Sequence, residues 1–498
     1  MKVRLLCLIK SVSVDALFCF GEIITMNILI VGNGFDLSHY LPTKYDHFMD
    51  VMSAIEGKNT GGLPKNLEEM KIDEWLNLID KTFQKREGME QPPHHMNFDE
   101  LFSKTRDPNF IEKTKEFYLT DSILLSAQDV IKAQYRLSLN CWYQYFKNHV
   151  EEIKTWIDFE QKIENVLTLV GKKIQEIENI ETEEEIINYF NGTDNSKPKI
   201  NNKNLNTLNF FHLTVKEHMS RVLSRALRTG KPFKTTTEIF INIHKKFCNG
   251  ANRSNGFSPS YFIDYLAEQL EDFIQLFNLY LETIIKNLKE KNQFIIKSES
   301  WLDPDKIYSF NYTNTYQRIH KNVEVDYLHG SSVEKQNIVL GVSDLSDESL
   351  EKIKAYGFTK YHQKLFKDTD YLFLDVFKIR ISEHRRKMES FEREYDERYK
   401  KGVRSSIEME GLLNLKITIW GHSLDYSDKD YILDLFSLND DIDRNVRVTV
   451  YYFDKLAKFI LLNNLLAILG KDKVEHWMKN KWLQFKPNPE IKFTEAIL

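Results

Sequence analysis

Residues 27–31 read Asn-Ile-Leu-Ile-Val and run directly into Gly32-Asn33-Gly34-Phe35-Asp36-Leu37. An uninterrupted apolar run this short, closed by a glycine turn, suits a parallel strand buried on both faces better than a strand with one wet face. Helical spacing follows, with Phe48, Met49, Val51, Met52 and Ile55 between Asp46 and Glu56. The first unit is therefore strand, loop, helix.

Similar short runs return only after Pro304: IYSF at 307–310, VDYL at 325–328, NIVLGV at 337–342, KITIWG at 416–421 and VRVTVYYF at 446–453. Between Leu67 and Lys297 the spacing is mostly helical, as in Glu151–Leu169 and Tyr261–Leu288, and no strand is expected there. With only 19 Gly and 11 Pro in 498 residues, a sandwich of short turn-linked strands is disfavoured. The economical reading is one α/β sheet interrupted by a large all-helical insertion, with residues 26–60 and 300–498 forming a discontinuous α/β domain and 61–299 the insertion. Asn191–Asn206, rich in Asn, Lys and Gly, reads as a surface loop. The Lys, Arg and Glu of 375–404 read as a solvated helix.

Sixty-eight basic against 73 acidic side chains give a net charge of −5, too near balance for a chain built to neutralise nucleic-acid phosphates. Nucleic acid is therefore not favoured as a partner, and the basic run Arg221, Arg225, Arg228, Lys231 and Lys234 reads first as a solvated helix face. Four scattered cysteines without a C-x-x-C pair indicate neither a zinc module nor a disulfide framework, which fits a cytoplasmic protein with no metal site. No stretch approaches the roughly 20 apolar residues of a membrane span. The first 25 residues begin like a signal peptide, but Lys10 and Asp15 break the apolar run, so Met26 is the expected natural start and 1–25 a doubtful leader.

In an open parallel sheet ligands sit beyond the carboxyl ends of the strands. The residues there are Gly32, Asn33, Gly34 and Asp36; Asn311 and Thr313; His329 and Gly330; and Gly421, His422 and Ser423 with Asp428 and Asp430 close behind. The G-N-G turn permits close backbone approach and would offer N–H groups to a phosphate, although it also reads as a tight turn with a capping Asp36. A P-loop pattern is absent. Asn311 carries donor and acceptor groups suited to a water or a ribose hydroxyl, or to bonding its own turn. His329 titrates near neutrality and has a glycine beside it, which makes it the better candidate for proton transfer. In WIDFE at 156–160, Asp158 and Glu160 are explained as well by helix packing as by a site.

GNGFDLSHYLPTKYDHF at 32–48, WIDFE at 156–160, SFNYTNTY at 309–316, LHG at 328–330 and GHSLDYSDKDYI at 421–432 together resemble the AbiH family of bacteriophage abortive-infection proteins. The resemblance implies a bacterial defence protein, with a phage-encoded trigger and self-association as partners to test. The order of glycine turn, Asn-Tyr, His-Gly and Gly-His-Ser is more distantly similar to sirtuin-like domains that hydrolyse NAD in other phage defences. That similarity implies a Rossmann-like (sirtuin-like), mostly parallel sheet. It implies Asn311 and His329 as catalytic pair, with Gly32, Asn33, Gly34, Asp36, Thr313, Gly330, Gly421, Ser423 and Asp428 around a dinucleotide. NAD would be substrate, and no prosthetic group is implied. A non-catalytic sensor, and a nuclease gathering Asp36, Asp428 and Asp430 around magnesium, remain open alternatives.

Overall fold

The computed structural model describes residues 25–60, 95–153, 156–177, 203–218, 236–298, 301–332, 336–345, 347–369, 372–395 and 397–495. The leader, the basic run at 221–234 and most of the 191–206 segment lie outside these, while 203–206 begin the short helix Lys203–Thr207.

Along the chain, β1 (Met26–Val31) is followed by α1 (Asn33–Ser38) and α2 (Tyr45–Glu56). The helical block then supplies α3 (Pro108–Phe117), α4 (Ala127–Leu139), α5 (Cys141–Asn148), α6 (Trp156–Ile177) and α7 (Pro259–Thr283). Next come β2 (Lys306–Ser309), β3 (Val325–Tyr327), α8 (Lys360–Phe366), α9 (Asp375–Glu394) and α10 (Glu397–Glu410). The chain closes with β4 (Leu415–Trp420), α11 (Lys429–Ser437), β5 (Val446–Tyr452), α12 (Lys455–Leu469), α13 (Lys471–Lys479) and β6 (Leu483–Pro487).

The six strands form one all-parallel sheet in the order β3-β2-β1-β4-β5-β6. The apolar run of β1 is explained by its central place. Ile28 and Ile30 pack with Ile417, Ile419, Val448 and Val450 on one face, while Leu29 and Val31 join Ile307, Phe35 and Trp420 on the other. The chain runs outward from β1 to β3 and then returns to start again at β4, so the order reverses between β1 and β4.

The helical block packs around clustered aromatic rings, including Phe146 and Phe159, tilted with centroids 4.2 Å apart, and Phe159 and Phe273, stacked at 5.4 Å. Such pairs add about 0.5–1.5 kcal/mol each beyond the area they bury. The same apolar cluster takes in Tyr45 and Phe48 of α2 and Ile338, Leu340 and Val342.

Two expectations about strands are corrected. The helical block does contain strands: Phe211–His218 pairs with Thr236–Ile243, and Asn292–Lys297 pairs with Glu490–Glu495, both antiparallel. Conversely, 337–342 is not a strand. The Leu340 amide donates to Gln363 Oε1 at 2.9 Å, and Gln363 Nε2 donates back to the Leu340 carbonyl at 3.0 Å, so one side-chain amide replaces a neighbouring strand. The 375–404 segment is helical as expected, as two helices.

At the reversal, the loops after β1 and β4 touch through backbone alone. Gly34 N–H donates to Gly421 O at 2.9 Å, and a Cβ on Gly421, whose φ is +74°, would lie 2.1 Å from the Phe35 nitrogen. Gly470 has a similar φ of +79° but open space around it. Strain alone costs an alanine about 1–2 kcal/mol, and forced overpacking adds about 1–3 kcal/mol. Gly421→Ala should therefore lower the thermal midpoint further than Gly470→Ala; equal shifts would contradict the close loop contact.

Candidate functional site at the strand ends

A cavity of about 300 Å³ opens at the carboxyl ends of β1, β2 and β4. Gly32, Asn33, Asp36, Asn311, Thr313, His329, Gly421, Ser423 and Asp428 all line it. Gly34 and Gly330 do not. Gly34 packs behind the cavity against Gly421, and Gly330, at φ +77°, lies so close to Asn337 that a Cβ would meet its carbonyl oxygen at 2.0 Å. The helical block contributes Trp156 and Glu160 from α6 and Phe277 and Leu281 from α7, giving the cavity one apolar wall.

The glycine turn does not present the row of amides expected for a phosphate. Gly32 N–H donates to Trp420 O at 3.1 Å, Gly34 N–H to Gly421 O, and Phe35 N–H to Gly32 O at 2.8 Å. Its glycines serve loop packing.

Two polar groups face the cavity. In the first, Asp36 is buried and accepts from Asn311 Nδ2 at 3.0 Å and Thr313 Oγ1 at 2.6 Å. Burial pushes its pKa up to about 6, against the lowering influence of Thr313, Thr315, Arg318 and Asn311. Asn311 Nδ2 also donates to Gly32 O at 3.0 Å. Both amide hydrogens are thus used, and its carbonyl oxygen is the group left to meet a ligand.

The second group is centred on Lys360, which is only 4% exposed. Its ammonium lies 2.9 Å from Glu160 Oε1 and 3.2 Å from Asp428 Oδ1. Burial alone would lower the lysine pKa, but the two carboxylates outweigh it and hold Lys360 above its ordinary value. Burial likewise opposes ionisation of Asp428, yet Lys360 and His329 keep it ionised well below the usual carboxylate range. Glu160 goes the other way: burial, with Asp428 repelling, carries it to about 7 despite Lys360. Glu160 Oε2 is buried without a hydrogen-bond partner, although the neighbouring Ser427 side chain is among the influences that lower its pKa.

His329 Nε2 is 3.0 Å from Asp428 Oδ1 but misaligned for a hydrogen bond. Burial drives its pKa down to about 4, so the ring is neutral at pH 7. His422 Nδ1 accepts the Leu424 N–H at 3.0 Å, which assigns the proton to Nε2, 3.4 Å from Asp428 Oδ2.

Glu160 and Lys360 complete the site, and strand-end reasoning does not reach them because both are helical. Glu160 did leave a signal: it sits four residues after Trp156 and three before Ile163, on the buried stripe of α6. Lys360, on α8, left none. Two carboxylates at one cation with pKa values driven apart, beside a neutral imidazole and a free amide oxygen, can accept a proton and stabilise a developing cation. Asp430 is not among the lining residues, and among the described residues no three His, Cys, Asp or Glu side chains converge as metal ligands.

Fold and site together define an α/β protein with a polar, partly apolar-walled pocket at the ends of a parallel sheet. The family model for "Bacteriophage abortive infection AbiH" matches residues 28–452, which contain every pocket residue named above, and the chain belongs to this family. The family indicates a role in abortive infection by bacteriophage. No curated protein and no solved structure matches the chain. Among the described residues no helix is long and apolar enough to cross a membrane.

Removing the central cation should strand two buried carboxylates, typically at a cost of about 3–5 kcal/mol. Lys360→Met is expected to lower the thermal midpoint more than the double variant Glu160→Gln/Lys360→Met, in which one carboxylate is neutralised as well. Additive losses in the double variant would contradict a shared ion cluster.

Proposed function

We propose that the protein is an abortive-infection effector of the bacterial cytoplasm that, on infection, hydrolyses NAD or a related nucleotide at the nicotinamide–ribose bond. The observation that supports this reading is the convergence of Glu160, Asn311 and His329 on one cavity where the strand order reverses. The order β3-β2-β1-β4-β5-β6 is also that of Rossmann dinucleotide-binding sheets, whose ligands lie across this reversal.

The leaving nicotinamide needs no acid, because its ring nitrogen is already cationic. The C1′–N bond breaks with its electron pair going to that nitrogen, leaving an oxocarbenium-like ribose. Water adds to C1′ and its proton passes to the Glu160 carboxylate, whose pKa burial raises to about 7. The Asn311 carbonyl oxygen orients the water or a ribose hydroxyl, and neutral His329 accepts a hydrogen bond from a second hydroxyl. Asp428 and Lys360 act through these groups, holding His329 and Glu160 in place. A cavity of about 300 Å³ takes the nicotinamide-ribose half. The other half would extend past Asn33, Ser423 and Lys44.

Purified protein incubated with NAD, with and without phage lysate, should release free nicotinamide. Glu160→Gln should slow release about a hundredfold or more, within the usual range for a lost proton-transfer group, and Asn311→Ala should slow it as well by loosening the oriented water. Because Glu160 must be ionised to act, kcat/KM should rise with pH up to about 7 and then level, and Glu160→Gln should remove that limb. Unchanged NAD in infected wild-type cells, alongside loss of phage protection in Asn311→Ala and His329→Ala, would reject hydrolysis and leave the pocket a binding site.

A further inference from the structure

A second cavity, of about 520 Å³, lies on a face of the sheet near the amino ends of β1, β4, β5 and β6. Parallel sheets ordinarily cover both faces with apolar contacts. On the face shared with α11, α12 and α13 this holds, through Ile28, Ile417 and Val448 among others. On the opposite face the alternate positions carry Lys416 and Thr418, Arg447 and Thr449, and Gln484 and Lys486. Ile296 and Ile491 cover the carboxyl end of this face with Leu29, Val31 and Trp420, and the groove opens beside them.

Register makes the arrangement explicit. Lys416 stands opposite Arg447, and Thr449 stands opposite both Thr418 and Gln484, on strands about 4.8 Å apart. Like charges directly opposed on a sheet cost stability. Arg447 is relieved by a two-pronged pair with Asp443 at 2.8 and 2.9 Å. Among the described residues the side chains of Lys416, Lys486 and the adjoining Lys481 have no such partner, and no carboxylate lines the groove. One wall is the indole of Trp301, set edge-on to Trp420 with centroids 5.6 Å apart. Three uncompensated ammonium groups, a row of hydroxyl and amide side chains and a flat aromatic wall are complementary to a phosphate chain joined to a planar base.

We propose that this groove is a second ligand site, separate from the strand-end pocket, and that it binds a free nucleoside polyphosphate. The phosphates lie over Lys416, Lys481 and Lys486 and the base against Trp301. A bounded cavity of this volume fits one nucleotide. The inference does not depend on hydrolysis at the other site.

The test is titration calorimetry of the full chain with ATP, GTP, inorganic pyrophosphate and a single-stranded ten-residue oligouridylate. Saturable binding of ATP or GTP is expected, with Kd raised at least tenfold in Lys416→Glu/Lys486→Glu and in Trp301→Ala, and unchanged in Asn311→Ala. Lys416 is exposed and Lys486 half-buried, so the charge variants should keep the wild-type thermal midpoint. Four outcomes would overturn the proposal: no saturable heat up to millimolar ATP and GTP, pyrophosphate binding as tightly as either, nucleotide binding lost in Asn311→Ala but kept in the groove variants, or oligouridylate binding a hundredfold more tightly than the free nucleotides.

Discussion

The buried ammonium of Lys360 joins the two halves of this molecule. It meets Glu160, carried on a helix of the central helical block, and Asp428, carried on the loop after β4. A lone lysine this deeply buried would lose its proton or unfold its surroundings. Two carboxylates make it tenable and their unequal burial splits their pKa values. Asp428 stays ionised and gathers His329 and His422, whereas Glu160 is left near 7 with one oxygen unsatisfied. The site thus exists only where helical block and sheet meet, which gives the long stretch between β1 and β2 a role beyond packing.

Much of the sheet is legible in the sequence because buried strand faces leave short apolar or alternating β-like runs at β1, β2, β3, β4 and β5, unbroken in the central β1. The sixth strand, Leu-Gln-Phe-Lys-Pro, is hidden because one of its faces is wet and polar. The same alternation in β4 and β5, Lys416-Ile417-Thr418 and Arg447-Val448-Thr449, records the open groove. Ile338, Leu340 and Val342 look like a strand for a different reason. They are as buried as strand residues, but a glutamine side chain satisfies the backbone that a ladder would satisfy. Local pattern reports burial, and the partner of the backbone is a tertiary fact.

The same division holds at the site. Asn311, His329 and Asp428 follow strands, and topology sends strand ends to one place. Glu160 betrays itself only as a charge on an apolar stripe, and Lys360 not at all, because a lysine becomes informative only once its surroundings are known. Gly32 and Gly34 mark the turn, but their use differs from what the motif suggests. They let the β1 loop lie against Gly421, with Gly34 N–H spent on that contact, Gly32 N–H on Trp420 O and Phe35 N–H on Gly32 O.

The most direct test is a crystal structure of the protein with a non-hydrolysable NAD analogue in which a carbon replaces the ribose ring oxygen next to the scissile bond. The expected result is the nicotinamide-ribose half in the strand-end cavity, its anomeric carbon between the Asn311 carbonyl oxygen and Glu160 Oε2. Density for the analogue elsewhere, with Glu160 and Asn311 untouched at saturating concentration, would contradict the central claim.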